Sequence, residues 1–379
     1  MTFSLKDGAS HIAEAPLPRA SQSPVIYILL SLYNGAAYLP DQLESFLRQD
    51  LRSWRLLWRD DGSEDGSRAL MRAFSAKCAA GQCMEVSLSP RRIGVRRSYE
   101  LLLEHVPDNG YVAFADQDDV WLDDKLSRAF DALKTSRKPA LYCARQFIVD
   151  ENLGHRRLSP RLPAGKSLHL AAALTQNLAV GHTILLNPAA IALIKKSVVP
   201  EDVLLDWWSY LIVALFDGDI MTDNRPASLY RQHRQNTVGA TAHLPIRAYR
   251  AMRRGPAVFM RRFAGNVASL RQVASASPSS LMSEHASKAR HLPAQQYCAF
   301  LDEIEEALRA SPLARIKLLS RHRALHRQGR LEHIVFCLWF ILRRASQSPI
   351  RVKEVTRRYD QTRALTPKLM PDKASTERH

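Results

Sequence analysis

Residues 111–121 read YVAFADQDDVW. Five mostly apolar residues, Tyr111 to Ala115, run into Asp116, Gln117, Asp118 and Asp119, and Val120 and Trp121 close the stretch. An apolar segment of strand length that ends in acids carries buried backbone to the edge of a sheet and presents carboxylates there. The three acids at 116, 118 and 119 repel one another, and a divalent cation with oxygen ligands is the simplest way to offset that charge. The competing reading is a solvated acidic turn that caps a helix beginning near Asp123.

Upstream, residues 25–33 (VIYILLSLY) form a continuous apolar run of strand length that stops at the turn pair Asn34 and Gly35. Residues 39–49 place Leu39, Leu43, Phe46 and Leu47 on one helical face. The pattern then predicts a strand over 54–59 running into Asp60, Asp61, Gly62 and Ser63, a helix over 67–77, a short strand over 84–88 and a helix over 98–105. Residues 111–115 are the fourth strand and 124–134 the helix after it. Strand and helix alternate, so the connections are crossovers and the expected fold class is α/β, with a mostly parallel sheet flanked by helices. Ligands of such sheets sit at the carboxyl ends of the strands. Asn34 and Gly35, Asp60 and Asp61, and the acids at 116–119 all fall there, which argues for one site.

Downstream, 141–149 reads as another strand, GHTILLN (181–187) as a strand entering a helix at Pro188, and Asp206, Trp207 and Trp208 as the start of a helix through Leu211 and Leu215. Residues 230–233 (YRQH) close this section. From about Ala240 the chain turns into Arg-rich amphipathic helices with no strand signal, with a loop over 275–283. IVFCLWFIL (334–342) is apolar throughout and is followed by Arg343 and Arg344. It falls short of the roughly 20 residues needed to span a bilayer. It suits a helix lying in a membrane interface with basic flanks on anionic lipid; the competing reading is a core helix. The expected organisation is a disordered leader (1–23), a catalytic domain (24–240), a basic helical extension (241–360) that associates with membrane, and a disordered tail (361–379).

Composition narrows the class. With 46% hydrophobic and 24% charged residues the chain is globular rather than disordered. Its five cysteines form no CxxC pair, which argues against a zinc site or disulfide framework and suits a reducing cytosol. The first twenty residues lack the apolar core of a secretory signal. Residues 1–240 carry 28 Lys and Arg against 27 Asp and Glu, whereas 241–379 carry 26 against 10. A balanced domain is joined to a polycation that needs an anionic neighbour, either a membrane surface, a nucleic acid or an acidic partner. Asp61 to Gly66 resembles the start of a calcium loop, but the twelfth position is Arg72 where a bidentate Glu is needed. Neither GxGxxG after the first strand nor GxxxxGK[ST] occurs, which excludes a dinucleotide fingerprint and a P-loop.

Taken in order, SLYNG (31–35), RDDGSEDGS (59–67), IGV (93–95), FADQDDVW (114–121), GHTILLN (181–187), LDWW (205–208) and LYRQH (229–233) resemble family 2 glycosyltransferases of the GT-A fold, in particular the rhamnosyltransferase-like group of bacterial surface polysaccharide synthesis. The likeness spans about 25–240 and, more loosely, 290–345. It implies an inverting, metal-dependent transfer of a sugar, with L-rhamnose as the candidate, from a dTDP- or UDP-sugar to a polysaccharide or lipid-linked acceptor at the inner face of the plasma membrane. By position, Asp61 would accept the N–H of the base, with Tyr33 and Asn34 walling the base pocket; a helix cap and core packing are the bland alternatives. Asp116 would contact the ribose or the waters of the metal, and Asp118 would bind Mg2+ or Mn2+. His233 would join Asp118 as a metal or diphosphate ligand, with Arg231 and Arg234 as diphosphate clamps. Asp206 would be the general base, ahead of Glu201 and Asp202, with an N-cap as its bland alternative. Trp207 and Trp208 would flank the acceptor sugar or pack in the core. The chain departs from the family pattern at Leu205, where His is frequent, at His182, where Cys is usual, and at Arg91 and Arg92, where Asn tends to stand. Two other classes compete: a basic nucleic-acid-binding protein, which the lack of interleaved aromatics disfavours, and a GT-A scaffold without catalysis, which the intact acids disfavour.

Overall fold

The computed structural model describes residues 24–86, 91–163, 168–233, 256–276 and 293–342. Ile26–Leu32 (β1) is the central parallel strand, with Trp54–Asp60 (β2) on one side, Tyr111–Ala115 (β4) on the other and Cys83–Glu85 (β3) beyond β2. A parallel strand covered on both faces cannot alternate apolar with polar residues, which is why β1 is apolar at every position but Ser31. Tyr27 and Leu29 enter one core and Ile28 and Leu30 the other. Helices Leu39–Leu47 (α1), Ser67–Ser75 (α2) and Val95–Glu104 (α3) connect these strands, and Lys125–Leu133 (α4) follows Val120–Trp121 (β5). The helix expected from 98 starts earlier, because Gly94, at φ 84, ends the preceding loop and its carbonyl accepts the Ser98 N–H.

Beyond β4 the sheet is mixed. Ala140–Val149 (β6), Arg157–Leu158 (β7), Leu185–Leu186 (β8) and Asp219–Arg231 (β9) complete the strand order β3-β2-β1-β4-β8-β6-β9-β5, with β7 on β6. β8 runs antiparallel to β4 and β6, β9 parallel to β6, and β5 antiparallel to β9. The sequence pattern misses most of β9. DIMTDNRPASLYR is rich in residues that strands disfavour, and its Pro226 is accommodated at a register shift opposite Arg145. The strand expected over GHTILLN shrinks to β8. Gly181–Thr183 forms a 3-10 turn instead, since the Thr183 hydroxyl and N–H both donate to the Val180 carbonyl. Asn187 caps Pro188–Lys195 (α6) by accepting the Ala190 N–H.

Two cores lie on the two faces of the sheet. One holds α1, α2 and α4 through Leu39, Phe46, Met71, Phe74 and Leu126. The other holds α3, α6, Leu170–Thr175 (α5) and Leu205–Leu215 (α7), and it continues without a break into the C-terminal helices. These are Pro256–Ala274 (α8), Cys298–Arg309 (α9), Pro312–Arg321 (α10) and Arg330–Leu342 (α11). Met260, Phe263, Val267, Phe336 and Phe340 belong to the same buried cluster as Leu211 and Leu215. The apolar run 334–342 therefore divides its faces. Phe336 packs tilted and Phe340 edge-on against Phe263, with ring centroids 6.0 and 5.8 Å away, while Ile334, Leu338 and Leu342 face outward. The loop expected over 275–283 and the leader and tail lie largely outside the described residues.

Arg315 ties three of these helices together. Its buried guanidinium donates to the carbonyls of Ala307 (3.0 Å) and Leu308 (2.7 Å) in the last turn of α9 and of Phe340 (3.0 Å) near the end of α11. Helix C-termini offer unpaired carbonyls and partial negative charge, which favour a cation placed there. Replacing Arg315 by Met strips these carbonyls of their donor and should lower stability by about 3 kcal/mol. Lys317→Met, exposed on the same helix, should change it by less than about 0.5 kcal/mol. Urea unfolding of both variants checks the contrast.

Candidate active site

The DQDD segment leaves β4 at the carboxyl end of the parallel strands. Tyr99 of α3 fixes its start: the hydroxyl donates to the Ala115 carbonyl (2.6 Å) and lies 3.3 Å from Asp116 Oδ1. Gln117 fixes its middle. The Tyr33 N–H donates to Gln117 Oε1 and Gln117 Nε2 donates to the Tyr33 carbonyl, both at 2.8 Å. This two-bond bridge clamps the acidic turn to the end of β1, and it requires Gly35, since a Cβ there would sit 2.5 Å from the Gln117 carboxamide. Gln117 is a residue that the sequence analysis does not select. Its signal is an amide placed between acids, with a glycine after Asn34.

Asp118 faces His233, with Nε2 to Oδ2 at 2.7 Å, and the His233 ring packs on Tyr38 at 4.5 Å. Burial raises the Asp118 carboxyl and the Asp116 charge adds to this, while His233 opposes both. Asp119 is fully buried. It accepts the Arg231 N–H (3.2 Å) and pairs at 2.9 Å with His182 Nδ1, which is also 3.4 Å from Asp116 Oδ2. Burial pushes Asp119 up to about 6 against the pull of His182. Burial disfavours the His182 charge, but Asp119 and Asp116 outweigh it and hold the imidazole up to about 10. His182 stacks on Tyr230, with ring centroids 5.1 Å apart. The residue that departs from the usual Cys is thus an integral part of the acid cluster.

These groups fit a divalent cation. Ligand atoms of Asp116, Asp119 and His182 lie within 4.8 Å of one another, and Asp118 and His233 form a second acid–imidazole pair. Carboxylates suit Mg2+ or Mn2+, and a cation would offset the Asp116 charge that adds to the burial-driven rise at Asp118. The acids do not cap α4, whose N-cap Asp124 makes no side-chain cap bond.

Asp61 lies at the end of β2. Its Oδ1 accepts Arg59 Nη1 and the Ile93 N–H, both at 2.7 Å, and Oδ2 accepts the Gly94 N–H at 2.8 Å. A carboxylate offers about four lone-pair sites, so Oδ2 keeps one for a further donor. At the start of α2 the Ser67 N–H donates to Asp65 and not to Asp61, and the N-cap is Gly66. Arg92 lies over the Tyr33 ring, 4.0 Å from its centroid. Asn34, in the left-handed region at φ 47, staples two loops: its N–H donates to Ser63 Oγ and its Oδ1 accepts the Glu64 N–H.

Asp206 sits in the first turn of α7 and is not its N-cap, which is Leu204. Oδ1 accepts the Trp207 N–H (2.6 Å) and Oδ2 accepts Asn177 Nδ2 (3.1 Å). Burial pushes its carboxyl up to about 6, with the Asp116 charge adding to the rise. The side chain packs against the Gly181 turn that carries His182. Glu201 and Asp202 are exposed on the loop before α7.

Two expectations change, at Trp208 and Arg231. Trp208 is fully buried, donating to Ser197 Oγ at 2.7 Å, so it packs the core and cannot flank a sugar. Trp207 is half-buried, with its indole N–H on the Ala173 carbonyl. Arg231 is buried, and its guanidinium serves the Asp118 and Glu151 carbonyls and the Asp41 carboxylate; it pins the DQDD turn to β9 and is committed to protein oxygens. Arg234 lies outside the described residues.

Residues 27–202 match the model of glycosyl transferase family 2. The chain contains a family 2 glycosyltransferase domain. This glycosyltransferase is 25% identical over 228 residues to the dTDP-rhamnosyl transferase RfbG of Shigella flexneri, covering 56% of this chain and 74% of that one. It is 26% identical over 162 residues to the putative teichuronic acid biosynthesis glycosyltransferase TuaG of Bacillus subtilis (strain 168), covering 43% of this chain and 59% of that one. The crystal structure of S. aureus TarS 1-349 in complex with UDP-GlcNAc superposes with a TM-score of 0.47 at 13% identity, over 89% of this chain and 92% of that one.

The Gln117 bridge makes a sharp prediction for this glycosyltransferase. Gly35→Ala should force the carboxamide off Tyr33 and shift the acidic turn, lowering turnover of a nucleotide sugar by roughly 100-fold. Ala36→Ser, one residue on, should be close to neutral. Initial rates on folded protein, verified by circular dichroism, check both.

Proposed function

We propose that the domain is an inverting, metal-dependent glycosyltransferase that moves a sugar, with L-rhamnose as the candidate, from a dTDP- or UDP-sugar to a polysaccharide or lipid-linked acceptor of cell-surface glycan synthesis. One observation carries this reading: carboxylates remote in sequence are joined by an unbroken chain of contacts along one rim of the sheet. Asp61 binds the Gly94 amide at the start of α3, Tyr99 of α3 meets Asp116, Asp116 meets His182, and the His182 turn packs on Asp206. The rhamnose assignment draws on the likeness to the Shigella dTDP-rhamnosyl transferase.

In this reading the free lone pair of Asp61 accepts the base N–H, and Tyr33 and Arg92 line the base pocket. Asp118 and His233 would hold Mg2+ or Mn2+, and Asp116, beside His182 and Asp119, would contact the ribose or the waters of the metal. A bound cation would neutralise charge on the departing diphosphate. Asp206 takes the proton of the acceptor hydroxyl as that oxygen attacks the anomeric carbon from the face opposite the leaving group. Asn177 and the Trp207 amide hold its oxygens in place. Exclusion of water by the half-buried setting raises the carboxyl and makes it a stronger base than an exposed aspartate.

Asp206→Asn should lower kcat by roughly 100- to 10,000-fold while nucleotide affinity, read by calorimetry, stays near wild type. Asp118→Ala should abolish the dependence of donor turnover on Mg2+ or Mn2+; equal metal-stimulated activity in both proteins would remove the metal role. The base works ionised and its carboxyl is raised to about 6, so kcat/KM should fall as pH drops through about 6 and level off above it. A pH profile with no acid limb near that value would exclude Asp206 as the base.

A further inference from the structure

The outward face of α11 is an uncharged stripe. Leu331 (51% exposed), Ile334 (55%), Leu338 (50%) and Leu342 (75%) recur at helical spacing on it, and Leu313 (72%) and Ile316 (46%) lie exposed on the neighbouring α10. A soluble surface rarely concentrates large aliphatic side chains in this way without a partner. The charge pattern indicates which partner. Residues 310–342 carry six Lys and Arg against one acid, Glu332, and the sequence continues with Arg343 and Arg344. Lys317, Arg321, Arg323 and Arg330 of this hairpin are exposed. Apolar side chains rimmed by cations match an anionic bilayer interface, where the aliphatic groups enter the acyl boundary and the cations meet phosphate. The helix is about 20 Å long at 1.5 Å per residue, and no helix among the described residues is long and apolar enough to cross a membrane. The hairpin is therefore suited to lie on a bilayer rather than to span it.

Its placement links this face to the site. The loop between α10 and α11 abuts the acceptor side of the cleft. The Thr175 hydroxyl donates to the His326 carbonyl (2.7 Å), Arg327 Nη1 donates to the Thr175 carbonyl (3.0 Å), and the Gln328 N–H donates to Gln176 Oε1 (3.1 Å). The next residue, Asn177, holds Asp206. We propose that the outward face of the α10–α11 hairpin seats the protein on an anionic lipid bilayer, with the Asp206 side of the cleft turned toward a lipid-linked acceptor. The lipid seat stands on the exposed side chains alone; only the acceptor's identity rests on the transferase reading.

The test is flotation of the full chain with neutral phosphatidylcholine vesicles and with vesicles containing about 30% phosphatidylglycerol. Wild type should float with the anionic vesicles, and raising NaCl from about 0.1 to about 0.5 M should weaken this. The double variant Leu338→Asp, Leu342→Asp should lose at least about tenfold in partitioning, while thermal unfolding and nucleotide binding stay unchanged, since both side chains are exposed and remote from the carboxylates. Wild type failing to float, or the variant floating as well as wild type, would overturn the proposal. So would light scattering that shows a wild-type dimer, a monomeric variant and equal flotation, because the stripe would then seat a second copy. Loss of nucleotide binding in wild type with flotation intact would instead count against the transferase reading.

Discussion

The structure depends on how it manages negative charge at the carboxyl ends of its parallel strands. Asp60, Asp61, Asp116, Asp118 and Asp119 all emerge there, and Asp206 joins them from α7. Water alone cannot stabilise so many partly and fully buried carboxylates on one rim of the sheet. The chain supplies polar partners one by one: Arg59 and the Ile93 and Gly94 amides to Asp61, His182 to Asp119, His233 to Asp118, Asn177 to Asp206. Asp116 is the member left most open, with its side chain 44% exposed. It lies between the two acid–imidazole pairs, where a cation and a diphosphate would complete the compensation.

This compensation sets the geometry of the loops. Arg231 closes β9 onto the Asp118 carbonyl, and its own amide meets Asp119. Gln117 closes β4 onto β1. The loop after β1, the acidic turn and the end of β9 are therefore linked by hydrogen bonds, so a change at Gly35 is expected to be felt at Asp118. Such preorganisation is what a transferase needs when charge builds on a leaving diphosphate, since rigid dipoles require no reorganisation at that moment.

The C-terminal helices belong to the same economy of burial. They complete the core on the α7 face, and Arg315 draws α9, α10 and α11 together through the carbonyls of Ala307, Leu308 and Phe340. Removing 334–379 would delete Phe336 and Phe340 from that core, so the apolar run serves packing on one face whatever its outer face meets. A linear sequence presents IVFCLWFIL as one hydrophobic block; only the neighbouring α8 determines which half of it is hidden.

By itself the sequence determined the α/β class, the four parallel strands around β1, the position of the acids at strand ends and the family. Each of these is written in local periodicity or in short motifs, which act over a few residues. Tertiary structure alone decided the mixed second half of the sheet, since β9 interrupts its strand formers with Asp, Asn and Pro and is held by pairing with β6. It also decided that Arg231 is a buried staple, that Trp208 is core and that His182 joins the acid cluster. Gln117 likewise acquires its task only when β1 and β4 lie side by side. A side chain's role depends on which groups compete for it, and those groups come from distant parts of the chain.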